Sequence, residues 1–96
     1  MPRATLVRYR TRPDAADENT RLIEAVFAGL AAAAPPGVRY TAVRLPDGVS
    51  FVHLAQFDDD DAALTGLPAF AAFSAGVAER CDEGPVPLTV QVVGSY

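Results

Sequence analysis

"VRYTAVRLPDGVSFVHLAQF", residues 38–57, consists of two β-rich runs joined by Pro46, Asp47 and Gly48. Branched and aromatic residues suit a pleated, half-buried surface, and Pro-Asp-Gly suits a type I turn followed by a left-handed glycine bulge, so the stretch reads as a β-hairpin. That turn pairs Leu45 with Val49, Val43 with Phe51 and Thr41 with His53. One face then carries Val43, Leu45, Val49, Phe51, His53, Ala55 and Phe57, and the other Tyr40, Ala42, Arg44, Ser50, Val52, Leu54 and Gln56. A two-residue turn would set Ala42 opposite His53 instead, because a slip of one residue exchanges the faces. Either way the only histidine of the chain sits in mid-strand.

Upstream, "ATLVRYRTR" (4–12) alternates Thr5, Val7 and Tyr9 against Leu6, Arg8 and Arg10 and stops at Pro13, which makes it a strand. "DAAD" (14–17) offers Asp14 as a helix N-cap with acidic residues at the positive end of the dipole. Ile23, Val26, Phe27 and Leu30 then form one apolar stripe on a helix that ends at "PPG" (35–37). Downstream, the run "DDDD" (58–61) reads as a solvated lead-in to a helical segment, since a calcium loop wants spaced oxygens and a glycine turn. One helical turn closes at Gly66, and Pro68 opens a second helix over 68–82 with Phe70, Phe73, Val77 and Cys81 on one side. After "EGPVP" (83–87) the chain finishes with "LTVQVVGSY" (88–96), read as a last strand with Leu88, Val90 and Val92 alternating against Thr89 and Gln91.

The order βαββαβ, with right-handed crossovers, places both helices on one face of a four-stranded antiparallel sheet, an α+β ferredoxin-like fold. The other face, with Tyr40, Val52 and Leu54, is too apolar to stay wet, so two sheets are expected to pack together in a homodimer, a dimeric α/β barrel.

At 96 residues, half of them hydrophobic, the chain fits a single domain spanning 1–96. Its longest apolar stretch, "AVFAGLAAAA" (25–34), is far short of the roughly 18–20 residues a bilayer span needs, so no membrane partner is expected. With no export signal and one cysteine, Cys81, the expected location is cytoplasmic. The net charge is −4, and the clustered Arg3, Arg8, Arg10 and Arg12 alternate along one strand, which argues against a nucleic-acid partner.

In length and order the chain resembles the dimeric α/β-barrel proteins of the antibiotic-biosynthesis-monooxygenase type. The most specific likeness is "FVHLAQFDD" (51–59) leading into "LPAFAAFSAGVAERC" (67–81), similar to that family's third strand followed by a second helix with phenylalanines at i and i+3. The resemblance implies cofactor-free oxygenases of phenolic polyketides, haem-degrading enzymes, isomerases or cyclases, or proteins without known activity. The chain departs from the catalytic members in having no Trp, and its only Asn, Asn19, lies in the first helix. Helix 68–82 lacks the histidine that haem-degrading members place there, and Cys81 beside Arg80 is a weak thiolate ligand, so neither cofactor nor metal is expected.

The face assignment puts His53 between sheet and helices as a candidate catalytic base, with Tyr9, Phe51, Phe57, Phe70 and Phe73 as candidate substrate-binding walls. Desolvation keeps such an imidazole neutral, so that it can deprotonate a phenol whose anion reduces dioxygen directly. Tyr40, Arg8 and Arg44 could orient a substrate only from the same face, and Arg44 on the dimer face would need a partner from the other subunit. The competing reading is a core histidine satisfied by a carbonyl, Thr41, Ser74 or water. Cys81 reads as a small core residue, and Tyr96 as a pocket or dimer contact or a frayed end. The expected function is a monooxygenase-like protein for a small aromatic or polyketide-type substrate. The alternatives are a non-catalytic ligand-binding or stress-related dimer and an isomerase or cyclase.

Overall fold

The computed structural model describes residues 3–58 and 61–96. Strand β1 is Arg3–Thr11, followed by a short 3-10 turn at Pro13–Ala15 and helix α1, Ala16–Ala33. Strands β2 (Val38–Arg44) and β3 (Ser50–Phe57) form the hairpin. Three short helices follow, α2 (Ala62–Thr65), α3 (Pro68–Ala75) and α4 (Val77–Arg80), and β4 (Cys81–Val90) completes a sheet of order β2-β3-β1-β4 with antiparallel neighbours throughout. This is the ferredoxin-like α+β arrangement. Its core lies between sheet and helices, around Tyr9, Ile23, Val26, Phe51, Phe57 and Phe73.

The hairpin register differs from the expectation. Leu45 pairs with Ser50, its N–H donating to the Ser50 carbonyl at 2.8 Å, and Ala42 lies opposite His53. The reason is Asp47: its carboxylate accepts the N–H groups of Val49 (3.0 Å) and Ser50 (2.8 Å) and the Ser50 hydroxyl (2.5 Å). These bonds draw Val49 into the loop. The turn itself runs from Leu45 to Gly48, whose φ of 80° suits a residue without Cβ. The extra loop residue exchanges the faces of β2, so Val38, Tyr40, Ala42 and Arg44 join Phe51, His53, Ala55 and Phe57, while Thr41 and Val43 turn away. Arg44 is therefore not on the open face. Its guanidinium lies over Phe51 at 5.7 Å and bonds Asp17 at 3.2 Å.

Three further boundaries move. Asp14 falls inside the 3-10 turn, and α1 starts behind Ala15 without a side-chain cap. The helix expected over 68–82 breaks at Gly76, and Cys81 already begins β4 rather than sharing a helix face with Phe73. Strand β4 runs through Pro85 and Pro87, which is compatible with its place at the sheet edge, where it has a neighbour on one side only. The last strand, expected over 88–96, instead occupies 81–90, so residues 91–96 are irregular and Tyr96 is fully exposed. Within the acidic run, Asp59 and Asp60 lie outside the described residues.

The face opposite the helices carries half-buried Leu6, Val52 and Leu54, with Val43, Val86 and Leu88 each about half exposed. Among the described residues no helix is long and apolar enough to cross a membrane.

Candidate functional site

A cavity of about 240 Å³ lies between the sheet and the short helices. Thr5, Val7 and Tyr9 reach it from β1, Tyr40 from β2, and His53, Ala55 and Phe57 from β3, because period-two alternation gives each strand one set of side chains on this side. Leu64, Phe70, Phe73 and Val77 close it from the helices, Asp61, Thr65 and Ser74 lie among them, and Pro85 borders it from β4. The walls are predominantly apolar.

The polar edge is a chain of hydrogen bonds centred on His53. Nε2 of the imidazole is 2.8 Å from the Tyr9 hydroxyl, and Nδ1 is 2.5 Å from the Tyr40 hydroxyl. Behind Tyr9, the Asn19 amide donates to the same hydroxyl at 2.9 Å, and Arg80 Nε donates to Asn19 Oδ1 at 3.0 Å. A second guanidinium nitrogen donates to the Phe73 carbonyl at 2.8 Å, and the group lies over the Phe73 ring at 5.3 Å. Asn19 is wholly buried and Arg80 nearly so. The His53 ring packs between aromatic neighbours, 5.3 Å from Tyr9 and 5.4 Å from Phe73.

Burial sets the protonation states. Desolvation lowers the His53 pKa to about 4, so the imidazole is neutral at pH 7. Burial pushes Tyr40 up to about 12 and raises Tyr9 further still, against the opposing Asn19 hydrogen bond, so both phenols keep their protons. The Cys81 pKa is raised mainly by burial, which favours the thiol over the thiolate.

Of the residues singled out in the sequence, His53, Tyr9, Phe57, Phe70 and Phe73 meet at this cavity. Phe51 does not line it. It is stacked behind Tyr9 at 5.5 Å and supports that ring from within the core. Arg8 is exposed and pairs with Val52 and Val86 on the open face, away from the cavity. His53 is bonded to two tyrosines rather than to Thr41 or Ser74. Tyr40, named as a possible orienting residue but assigned to the other face, lies on the His53 side and lines the cavity, while Asn19 and Arg80 were not read as part of the site. Asn19 had a signal, since it lies four residues before Ile23 on the apolar stripe of α1, where a polar side chain must find a buried partner.

The fold is that of the antibiotic-biosynthesis-monooxygenase-like proteins. SnoaB, a cofactor-independent oxygenase from Streptomyces nogalater, superposes with a TM-score of 0.67 at 21% identity, covering 98% of each chain. The Rv0793 protein of Mycobacterium tuberculosis gives a TM-score of 0.78 at 22% identity over 99% of this chain and 98% of its own. An antibiotic biosynthesis monooxygenase gives 0.76 at 13% identity over 98% of this chain and 100% of its own. No family model and no curated protein matches the chain.

Proposed function

We propose that the protein is a cofactor-independent, monooxygenase-like enzyme acting on a small aromatic or polyketide-type compound in the cavity between sheet and helices. The observation that carries this reading is an apolar, aromatic-walled cavity of about 240 Å³ whose polar edge is the Tyr9–His53–Tyr40 unit. That volume lies just below the roughly 300–1,000 Å³ of drug-sized ligand sites and suits a single compact ring system. Phe57, Phe70 and Phe73 supply faces and edges for a flat ligand, and Tyr40, half-buried at the rim, is the hydroxyl that meets the ligand's oxygen. His53 has both nitrogens occupied, so it acts on the substrate through Tyr40 rather than by direct contact. A phenol that binds as its anion, its proton left to solvent, supplies the electrons that reduce dioxygen: one oxygen atom forms a new C–O bond at a ring carbon, that carbon loses its hydrogen, and the other oxygen leaves as water, so that phenol and dioxygen give a quinone and water while the walls limit side reactions with solvent.

The proposed assembly is a homodimer through the open sheet face, supported by the half-exposed Val43, Val86 and Leu88 beside Leu6 and Leu54. Oxygen uptake across a panel of phenols and hydroxylated naphthalenes tests the activity, with Tyr40→Phe and His53→Ala as variants. Uptake that neither substitution lowers removes the unit from the reaction. A second reading, a small-ligand-binding dimer without turnover, draws on the fully bonded imidazole, which leaves no free base. Ligand binding without oxygen uptake would select it.

A further inference from the structure

The hydrogen bonds behind the cavity can run in only one direction. A guanidinium donates and never accepts. Arg80 therefore fixes Oδ1 as the Asn19 atom that faces it, which leaves the amide nitrogen to donate to Tyr9. Having received that hydrogen, the Tyr9 oxygen gives its own to Nε2 of His53 at 2.8 Å. A neutral imidazole that accepts at Nε2 carries its proton on Nδ1, and that proton is donated to the Tyr40 oxygen at 2.5 Å. The opposite direction would send two hydrogens to the Tyr9 oxygen and leave its own O–H without an acceptor in a residue 3% exposed. In the direction assigned, the single spare O–H belongs to Tyr40, at the cavity rim. The cation that orders the chain is 7% exposed and has no ion-pair partner among the described residues.

We infer that Asn19, held by Arg80, is a positioning residue that fixes His53 in its Nδ1–H form and turns the Tyr40 hydroxyl into a donor aimed at the cavity, so that the site prefers an aryl oxyanion or ring carbonyl to the corresponding hydroxyl compound. The ligand class rests on the proposed small-aromatic site; the direction of the chain does not. The assignment runs against the intrinsic preference of a free histidine side chain, which carries its proton mainly on Nε2.

His53 is the only histidine, so the two imidazole nitrogens of the 15N-labelled protein give one unambiguous NMR pattern at pH 7. The expected result is a protonated Nδ1 and an accepting Nε2; a proton on Nε2 in the wild type overturns the inference. Asn19→Asp replaces the amide nitrogen by an oxygen that only accepts. Tyr9 then donates to the new carboxylate, receives Nε2–H, and Tyr40 donates to Nδ1, so the pattern reverses. Arg80→Lys retains a donor-only side chain and the wild-type pattern. An unchanged pattern in Asn19→Asp refutes the role of Asn19. Should that variant fail to fold, Tyr9→Phe removes the donor to Nε2 while keeping the ring, and a mixture of both forms is expected; a pure Nδ1–H pattern there also refutes it. For the ligand, 4-nitrophenol is titrated by absorbance on both sides of its ionisation. The preference for anion over neutral form is expected to fall at least tenfold in Asn19→Asp, and an unchanged preference refutes the specificity. If neither protein binds 4-nitrophenol, the small-aromatic reading and the specificity built on it both fail, while the NMR pattern still decides the direction of the chain.

Discussion

Removing the Tyr9 hydroxyl is the sharpest stability test of the buried chain. Tyr9→Phe keeps the ring, so its stack on Phe51 at 5.5 Å and its contact with Phe73 at 6.4 Å survive. What disappears is one oxygen with two partners, the Asn19 amide at 2.9 Å and His53 Nε2 at 2.8 Å. Both partners are in nearly dry surroundings, and a buried polar group left unpaired costs about 1–3 kcal/mol. Partial relief comes from no longer burying the hydroxyl and from water reaching His53 out of the cavity, so the net loss is about 2–3 kcal/mol. For a domain of this size that lowers Tm by roughly 10–20 °C. Tyr40→Phe is the control. It frees one partner, His53 Nδ1, next to the half-buried Tyr40 at the cavity rim, and the edge-on ring contact with Phe27 at 5.2 Å persists, so the loss is about 1 kcal/mol. Urea and thermal unfolding followed by circular dichroism compare the two. A Tyr9→Phe loss no larger than that of Tyr40→Phe would refute the two-way junction.

Burial holds the His53 pKa at about 4 against 6.5 when unfolded, so on acidification the unfolded chain takes up the proton first. Stability is then full about a unit above pH 6.5 and falls as pH drops toward 4, by about 2 kcal/mol between about pH 7.5 and 5. Urea midpoints in that window should show the loss in the wild type and not in His53→Gln, and equal losses would sink the assignment. Phe73→Ala removes a nearly buried ring that packs against Tyr9, His53 and Phe70, and should cost about 3 kcal/mol by chemical denaturation, the low end for such truncations because the space opens into an existing cavity. Leu88→Asp, on the open sheet face, should change the protomer's own stability by less than about 0.5 kcal/mol, while in sedimentation velocity the wild type is expected to run as the proposed dimer and the variant as a monomer; a monomeric wild type would refute the dimer, and a dimeric variant would locate its interface elsewhere.

Strands β1 and β3 and helix α1 were legible because alternation in the strands and the Ile23–Leu30 stripe have the periods of their elements, whereas β4 begins seven residues before the expected strand and ends six residues before its end. The register of β2 was not legible. Whether Pro46, Asp47 and Gly48 are followed by a paired or a looped Val49 depends on the Asp47 carboxylate reaching two N–H groups, a tertiary detail that leaves no periodic trace. That one residue decided the side on which Tyr40 lies, and with it half of the polar edge of the site. Pro85 and Pro87 read as breakers in the sequence, yet they sit in β4 because it is an edge strand. His53 was found from its surroundings, whereas its partners required the register.

The break at Gly76 and the direction of the buried chain have a common origin in Arg80. Phe73 lies in the final turn of α3, where carbonyls lack intrahelical donors, and Arg80 folds back to supply one at 2.8 Å. The same return carries Arg80 Nε to Asn19 at 3.0 Å. The guanidinium passes so close to residue 76 that a Cβ built there would lie 2.9 Å from Nη1. Backbone strain is not at issue, since Gly76 has a φ of −113°. On conformational grounds alone, Gly76→Ala should stabilise by about 0.4–1 kcal/mol. The clash predicts the opposite sign: the guanidinium is displaced, Phe73 and Asn19 lose their donor, and stability falls by about 1–2 kcal/mol. The His53 NMR pattern should broaden into a mixture of the two ring forms, because a released Asn19 amide can rotate either way. A stabilised Gly76→Ala protein with the wild-type His53 pattern would mean that Arg80 caps α3 without governing the site.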